Sequence, residues 1–300
     1  MDLITRACPL CNSHDDSQIY TESNFNFASL DKFAFASRKI PEYMHYRMIS
    51  CRTCDLLYAS PLPPANILAM NYAEADFDSS VEAHCAAKTY AKLLPDIAKR
   101  IPDKEGALDI GTGDGAFLEQ LLKHEFKGVV GIEPSHAPIE SANDVVRPLI
   151  IHGTFNPGVF PEKRFSLITC FQTMEHLPNP FEMCESAYAM LKQRGAIYII
   201  CHDYRSLSAK LLGMKSPIFD IEHLQLFSPQ SATYLLNRCG FSNITVRPIV
   251  NSYPLYYWMK LLPIPGKIKL YILDKLSTKP IGSYNLPLPV GNIAIIGYKS

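Results

Sequence analysis

The sequence lacks a surplus of either charge: Lys+Arg and Asp+Glu each number 29, for a formal net charge of +0. A chain built to hold a polyanion usually carries a basic excess, so nucleic acid is the less favoured partner from the outset. It also lacks any run of the ~20 uncharged apolar residues that a membrane-spanning helix needs. The most apolar tract, 253–265, is interrupted by Pro254, Lys260 and Pro263. The first residues, with an acid at Asp2 and no apolar core, do not read as a signal peptide. Internal repeats and low-complexity stretches are missing as well.

What is present is the composition of an ordinary globular protein. With 47% hydrophobic and 19% charged residues over 300 positions, the chain has room for one α/β domain and a smaller appendage. Nine cysteines without a secretory signal point to a reducing compartment, the cytoplasm, where close cysteine pairs more often hold metal than form disulfides.

Three regions follow from the pattern: 1–62, 63–104 and 105–300. Pro61-Leu62-Pro63-Pro64 is a stiff break after the first. A helical connector then runs to about residue 101, with Pro95 expected to kink it. From Gly106 onward, short apolar runs alternate with amphipathic segments. Strands are predicted at 107–110, 129–132, 149–151, 167–170, 196–200, 243–250 and 292–298. Helices are predicted at 115–124, after Ser135, at 178–191 and from Ser228 to Arg238, where Gly240 is placed to end the last. Leu122 is expected to share the apolar side of its helix with Phe117, Leu118 and Leu121. Apolar strands separated by helices imply a parallel, doubly wound, Rossmann-like sheet of seven strands covered on both faces.

The strand ending at Ile110 runs into Gly111-Thr112-Gly113-Asp114-Gly115 and then a helix. Glycines allow a sharp turn and the close approach of a ligand to backbone, and such a turn lies where doubly wound sheets bind ligands. Glu133 ends the next strand at the spacing expected, about 20 residues on, for a carboxylate on ribose hydroxyls. Taken alone the turn is ambiguous, because Gly111-x-Gly113-x-x-Ala116 also satisfies a dinucleotide fingerprint and keeps an NAD(P)-dependent oxidoreductase open.

An ordered set of segments separates the two. Ala107 to Gly115 looks like the first motif of class I S-adenosylmethionine-dependent methyltransferases, and Gly131-Ile132-Glu133-Pro134-Ser135 resembles their acid-ended second strand. Phe165 to Cys170 with Met174-Glu175-His176-Leu177-Pro178 resembles their fourth strand and its loop. Leu191-Lys192-Gln193-Arg194-Gly195, Ile221 to Ser228 and Cys239-Gly240-Phe241 resemble later parts of the same fold. Ser166 and Gln193-Arg194 depart from the usual residues. The resemblance implies that Gly111 and Gly113 approach the methionine part of S-adenosylmethionine, with Asp109 near its amino group. It further implies Glu133 on the ribose, Thr154 and Phe155 near the adenine, and Gln172 on the pocket floor.

Cys8-Pro9-Leu10-Cys11 and Cys51-Arg52-Thr53-Cys54 are two C-x2-C knuckles, enough thiolates for one closed, structural zinc site. His14 or His45 stands in reserve as a ligand, and four free thiols or a redox pair remain the plain alternative. A similar module precedes some sugar C-methyltransferases and related metabolite methyltransferases, with the likeness reaching Asp55-Leu56-Leu57-Tyr58 and Pro61-Leu62-Pro63. Cys85, Cys170, Cys184, Cys201 and Cys239 read as small buried hydrophobes.

Methyl transfer to a hydroxyl or carbon requires that a proton be removed, so a base is sought on loops above the strand ends. Glu175, His176, His202, Asp203, Tyr204, Glu222 and His223 map there. His223 is the first choice and His176 the second, with Tyr204 as a substrate contact. Loop shaping is the bland alternative for each. A late helical insertion around 253–276 reads equally as a substrate lid, a membrane-surface dock or a packing helix. The acceptor expected is a small molecule: a nucleotide-linked sugar, a glycan precursor or a related metabolite. A non-catalytic zinc-ribbon scaffold on a degenerate fold is the third reading.

Overall fold

Strand-forming runs become a sheet here because alternate residues have separate apolar layers to enter. A computed structural model describes residues 3–14, 17–24, 41–73, 79–156 and 158–300. Parts of the first two predicted regions, 25–40 and 74–78, lie outside the described residues.

The elements in order are β1 (Ser17–Thr21), β2 (Met48–Cys51), β3 (Leu57–Ala59), α1 (Ala65–Ala73), α2 (Ser80–Ala91) and α3 (Leu94–Ala98). Next come β4 (Glu105–Ile110), α4 (Ala116–Lys123), β5 (Lys127–Glu133), α5 (His136–Ser141), β6 (Ile150–His152), β7 (Phe165–Phe171) and α6 (Pro180–Met190). The chain continues with β8 (Leu191–His202), α7 (Leu207–Leu212), β9 (Gln225–Leu226), α8 (Pro229–Arg238) and β10 (Phe241–Pro254). It finishes with α9 (Leu255–Leu261), α10 (Gly266–Ser277) and β11 (Asn285–Lys299).

The main sheet has seven strands in the order β10-β11-β8-β7-β4-β5-β6. β4 pairs in parallel with both β5 and β7, so the winding reverses at β4. The sheet is mixed rather than purely parallel: β11 runs antiparallel to both β8 and β10. α9 and α10 join β10 to β11 as a strand pair folded back on itself, and this connection needs no crossover.

Period-two alternation divides the strands between two cores. Leu108, Ile110, Ile168, Cys170, Ile197 and Ile199 enter one layer, which α6 and α8 close through Met183, Ala187, Leu235 and Leu236. Ala107, Leu167, Ala196, Tyr198 and Ile200 enter the other, closed by Ala86, Tyr90, Leu94, Ile97, Phe117 and Leu121. Each fully buried aliphatic or aromatic side chain contributes ~1.5–3 kcal/mol, so the layers dominate the fold's stability. Cys170, Cys184, Cys201 and Cys239 are buried among these residues, whereas Cys85 is only half-buried.

Helix signals are read by the chain with three adjustments. Ser228 accepts from the Ser231 backbone and completes a capping box, and Gly240 follows with a φ of 90°. Pro95 does not kink a long helix. It lies in the first turn of the separate α3, where its missing N–H costs nothing. Leu122 leaves the apolar stripe of α4 and is 37% exposed, because it sits at the stripe's edge. Ser135 precedes α5 without a side-chain capping bond.

A second, four-stranded sheet in the order β1-β2-β3-β9 is antiparallel throughout. Its last strand comes from residues 225–226, so N-terminal strands and a late segment share one ladder. Tyr46, Met48 and Leu57 pack with Ile218, Leu224 and Leu226 in a third core. Among the described residues no helix is long and apolar enough to cross a membrane.

Candidate active site

The glycine turn lies at the carboxyl end of β4, beside the point where the winding reverses. The Gly111 and Thr112 amides donate to Ile132 O, which folds the turn against β5. Gly111 has φ +73°, and a Cβ there would lie 2.3 Å from the Thr173 hydroxyl, so no larger residue fits. Gly113 has φ +58°, and a Cβ there would meet nothing within 4 Å. Its bare backbone therefore faces open space, the condition for close approach by a ligand.

Two buried carboxylates flank the turn. Asp109 accepts from Thr112 Oγ1 at 2.8 Å and Thr169 Oγ1 at 2.6 Å, and burial raises its pKa to about 7 despite these bonds. Glu133 accepts from the Gly113 amide at 2.8 Å and the Ser135 amide at 2.9 Å, and burial raises its pKa too. A cationic ligand would relieve both, since an opposite charge favours the ionised carboxylate.

A cavity of about 780 Å³ opens over the strand ends. Asp109, Gly111, Gly113, Glu133, Thr154, Phe155 and Gln172 all line it, as do His176 and His223. Gln172 turns off β7 at φ +51°, and among the described residues its buried Nε2 has no hydrogen-bond partner. An orphaned donor in the wall, an open glycine backbone and two desolvated carboxylates fit a cationic, hydroxyl-rich ligand of the S-adenosylmethionine type.

At the other end three histidines converge. The rings of His176 and His202 each lie 5.1 Å from that of His223. His223 Nδ1 is 2.8 Å from Ile218 O, and His176 Nδ1 is 3.0 Å from Glu222 O. A carbonyl can only accept, so each Nδ1 carries the proton and each Nε2 is the basic nitrogen. His223 Nε2 lies 3.9 Å from the Glu222 carboxylate. His202 Nδ1 is 2.7 Å from Asn292 Oδ1, and burial lowers its pKa to about 4, which keeps it neutral. Glu175, behind the loop, accepts from the His202 amide at 2.7 Å, and burial raises its pKa to about 7.

Tyr204, expected to touch substrate, does not line this cavity. Its hydroxyl donates to Asp55 Oδ1 at 2.8 Å and ties the β8–α7 loop to the cysteine-bearing segment. The acidic group directly after a cysteine knuckle is the partner that this buried phenol takes.

The four N-terminal cysteines do come together. Cys8 Sγ lies 3.5 Å from Cys54 and Cys11 Sγ 3.4 Å from Cys51, and all four sulfurs fall within 4.8 Å of one another. Tetrahedral zinc with ~2.3 Å bonds needs sulfurs roughly 3.8 Å apart. The donor set and spacing fit that ion. His45 is not among them; its Nδ1 lies 2.9 Å from Tyr46 O.

Several wall residues carry no sequence signal as site residues, whereas Tyr253 opens the segment for which a lid is one reading. Asn251, Tyr253, Leu286 and Leu288 reach the cavity because the outer ends of β10 and β11 extend past β8, and Asn292 lines it where β11 pairs with His202. Arg6 was likewise silent. It donates to Ala59 O, Pro178 O, Leu224 O and Gln225 Oε1, bracing both histidine-bearing loops from the N-terminal segment.

A doubly wound sheet that binds ligand where its winding reverses is common to several cofactor-binding folds, and comparison with known proteins separates them. Residues 83–246 match the family model described as methyltransferase domain. The ubiquinone biosynthesis O-methyltransferase of Actinobacillus pleuropneumoniae is 25% identical over 152 residues, covering 46% of this chain and 64% of that protein. Its namesake from Histophilus somni is 30% identical over 125 residues, covering 38% and 52%. The chain thus spans about half to two-thirds of the length of these relatives. The YcgJ protein of Bacillus subtilis superposes with a TM-score of 0.52 at 16% identity over 70% of this chain and 97% of that one, a likeness of fold. The chain belongs to the methyltransferase domain family. It is a class I member, the kind that depends on S-adenosylmethionine, and the nicotinamide reading of the glycine spacing falls away.

Proposed function

We propose that this protein transfers a methyl group to a small-molecule acceptor, with His223 as the base. The observation that carries the reading is a single cavity that joins the glycine turn to the histidine cluster. When bound, S-adenosylmethionine supplies an electrophilic methyl on a sulfonium, a leaving group that needs no acid. Asp109, Gly111, Gly113 and Glu133 would hold its polar parts, with Thr154 and Phe155 near the adenine and Gln172 on the pocket floor.

The chain's own residues then handle the proton. His223, its tautomer set by Ile218 O, takes the acceptor's proton on Nε2, and Glu222 supports the imidazolium that results. His176 orients the same loop. In the same reading Cys8, Cys11, Cys51 and Cys54 hold a structural zinc, and free thiols suit the cytoplasm. Of the acceptors considered from the sequence, the walls favour a metabolite over a nucleotide-linked sugar or glycan precursor, as argued below.

Thermal denaturation with S-adenosylhomocysteine and with NAD tests the reading. S-adenosylhomocysteine should raise the midpoint and NAD should not. Stabilisation by neither, with zinc still bound, would favour the scaffold instead.

A further inference from the structure

From the glycine turn the cavity continues along α2 and the outer ends of β10 and β11. α2 turns three alanines, Ala83, Ala86 and Ala87, to the cavity, which leaves width for a ring or chain. Tyr253, Tyr257 and Trp258 line the cavity too and share a core with these alanines; the rings of Tyr257 and Trp258 lie 4.8 Å and 5.2 Å from that of Tyr253. The Trp258 indole N–H donates to Leu286 O at 2.8 Å, so its polar edge is already satisfied.

Polar residues interrupt this wall, Asn251 and Asn292 among them. Asn251 is 1% exposed, lines the cavity, and among the described residues its Oδ1 has no hydrogen-bond partner. An unpaired buried amide oxygen is costly unless a ligand donates to it. A hydroxyl is the simplest such donor.

Charge decides the rest. The described residues lining the cavity include Asp109, Asp114, Glu133, Asp220 and Glu222, and no lysine or arginine. Buried phosphates are held by cations or by arrays of backbone donors; beside the histidines the charged lining residues are the acids Asp220 and Glu222. Arg6, which is not among the lining residues, donates to Pro178 O, Leu224 O and Gln225 Oε1, and Arg205 is paired with Asp55.

From these features we infer that the acceptor is an uncharged, apolar-bodied molecule whose hydroxyl donates to Asn251, and not a phosphorylated or nucleotide-linked one. The inference rests on the methyltransferase reading above. The body lies along the apolar lining that the α2 alanines and the aromatic residues share, and the reacting group points to His223.

The test uses two probes with the same ring, 2-naphthol and 2-naphthyl phosphate, titrated calorimetrically into the full chain saturated with S-adenosylhomocysteine. The expected result is a Kd for 2-naphthol at least tenfold below that for the phosphate. Asn251→Leu should raise the naphthol Kd about tenfold with S-adenosylhomocysteine affinity unchanged, and Asn251→Ala should do the same if the larger replacement unfolds the ribbon. Equal or tighter binding of the phosphate overturns the inference. So does failure of both ring probes while S-adenosylhomocysteine binds, an outcome that leaves the methyltransferase reading standing. If S-adenosylhomocysteine itself does not bind, the underlying reading fails and this one with it.

Discussion

Arg6 donates to the side-chain oxygen of Gln225 at 3.1 Å, and the nitrogen of that same amide donates to Met174 O at 2.6 Å and Leu177 O at 2.7 Å. One buried amide therefore joins the N-terminal segment to the loop that carries His176, two residues from His223. Burial lowers the Arg6 pKa to about 10, and the guanidinium keeps its charge at neutral pH.

Arg6→Ala should accordingly slow turnover more than it weakens the cofactor complex. We expect kcat to fall at least tenfold, with S-adenosylhomocysteine affinity within about twofold of the wild type. Each buried carbonyl left without its donor costs ~1–3 kcal/mol, so the melting midpoint should fall as well. Added guanidinium at millimolar concentration should restore part of the rate. A variant that loses cofactor affinity in step with kcat would count against loop positioning.

His223→Ala should lower kcat by roughly 10²–10⁴, the range of a lost general base, and spare S-adenosylhomocysteine binding. Turnover near the wild-type level would remove His223 from the base role and pass it to His176.

Glu175 supplies a pH signature. Its carboxyl titrates near 7 when folded against 4.5 ordinarily, so the folded chain holds the proton more tightly between those values. The contribution is full below pH 4.5 and is lost as pH rises through 7, on the order of 3 kcal/mol. His202 acts in the opposite sense: its folded pKa is about 4 against 6.5, so its contribution is present above 6.5 and lost as pH falls toward 4. Glu175→Gln keeps the acceptor for the His202 amide but cannot ionise. Its melting midpoint relative to the wild type should climb from pH 5 to pH 8; a flat difference would contradict the assignment.

The cysteine site predicts one zinc per chain by elemental analysis, lost with Cys8→Ser or a strong chelator. Removal should lower the melting midpoint by several degrees, because Cys8, Cys51 and Cys54 share a core with the main sheet. A metal-free preparation with unchanged melting would mean that the thiols hold nothing structural.

Much of the sheet was legible because burial on both faces writes itself as apolar runs: 107–110, 129–132 and 167–170 each fall inside an observed strand. The glycine turn and the Ser228 cap were legible for the same local reason. Long-range pairing was not. β3 has only three residues, and its partner, β9, lies far along the chain. β10 runs to Pro254 and β11 begins at Asn285, so the expected insertion starts on the end of a strand that the local pattern marked only as far as residue 250. Asn251 and Asn292 looked like any strand polar residue, and Tyr204 gave no hint that Asp55 would claim its hydroxyl.

The ladder between β3 and β9 bears on how the molecule is made. As the chain leaves the ribosome, the cysteine-bearing strands are waiting for residues 225 and 226, which arrive after most of the catalytic sheet. The N-terminal sheet is finished late although it is synthesised first. For the same reason, exchanging residues 1–62 with those of another protein would leave β9 facing a foreign edge, so a working chimera must carry both stretches together.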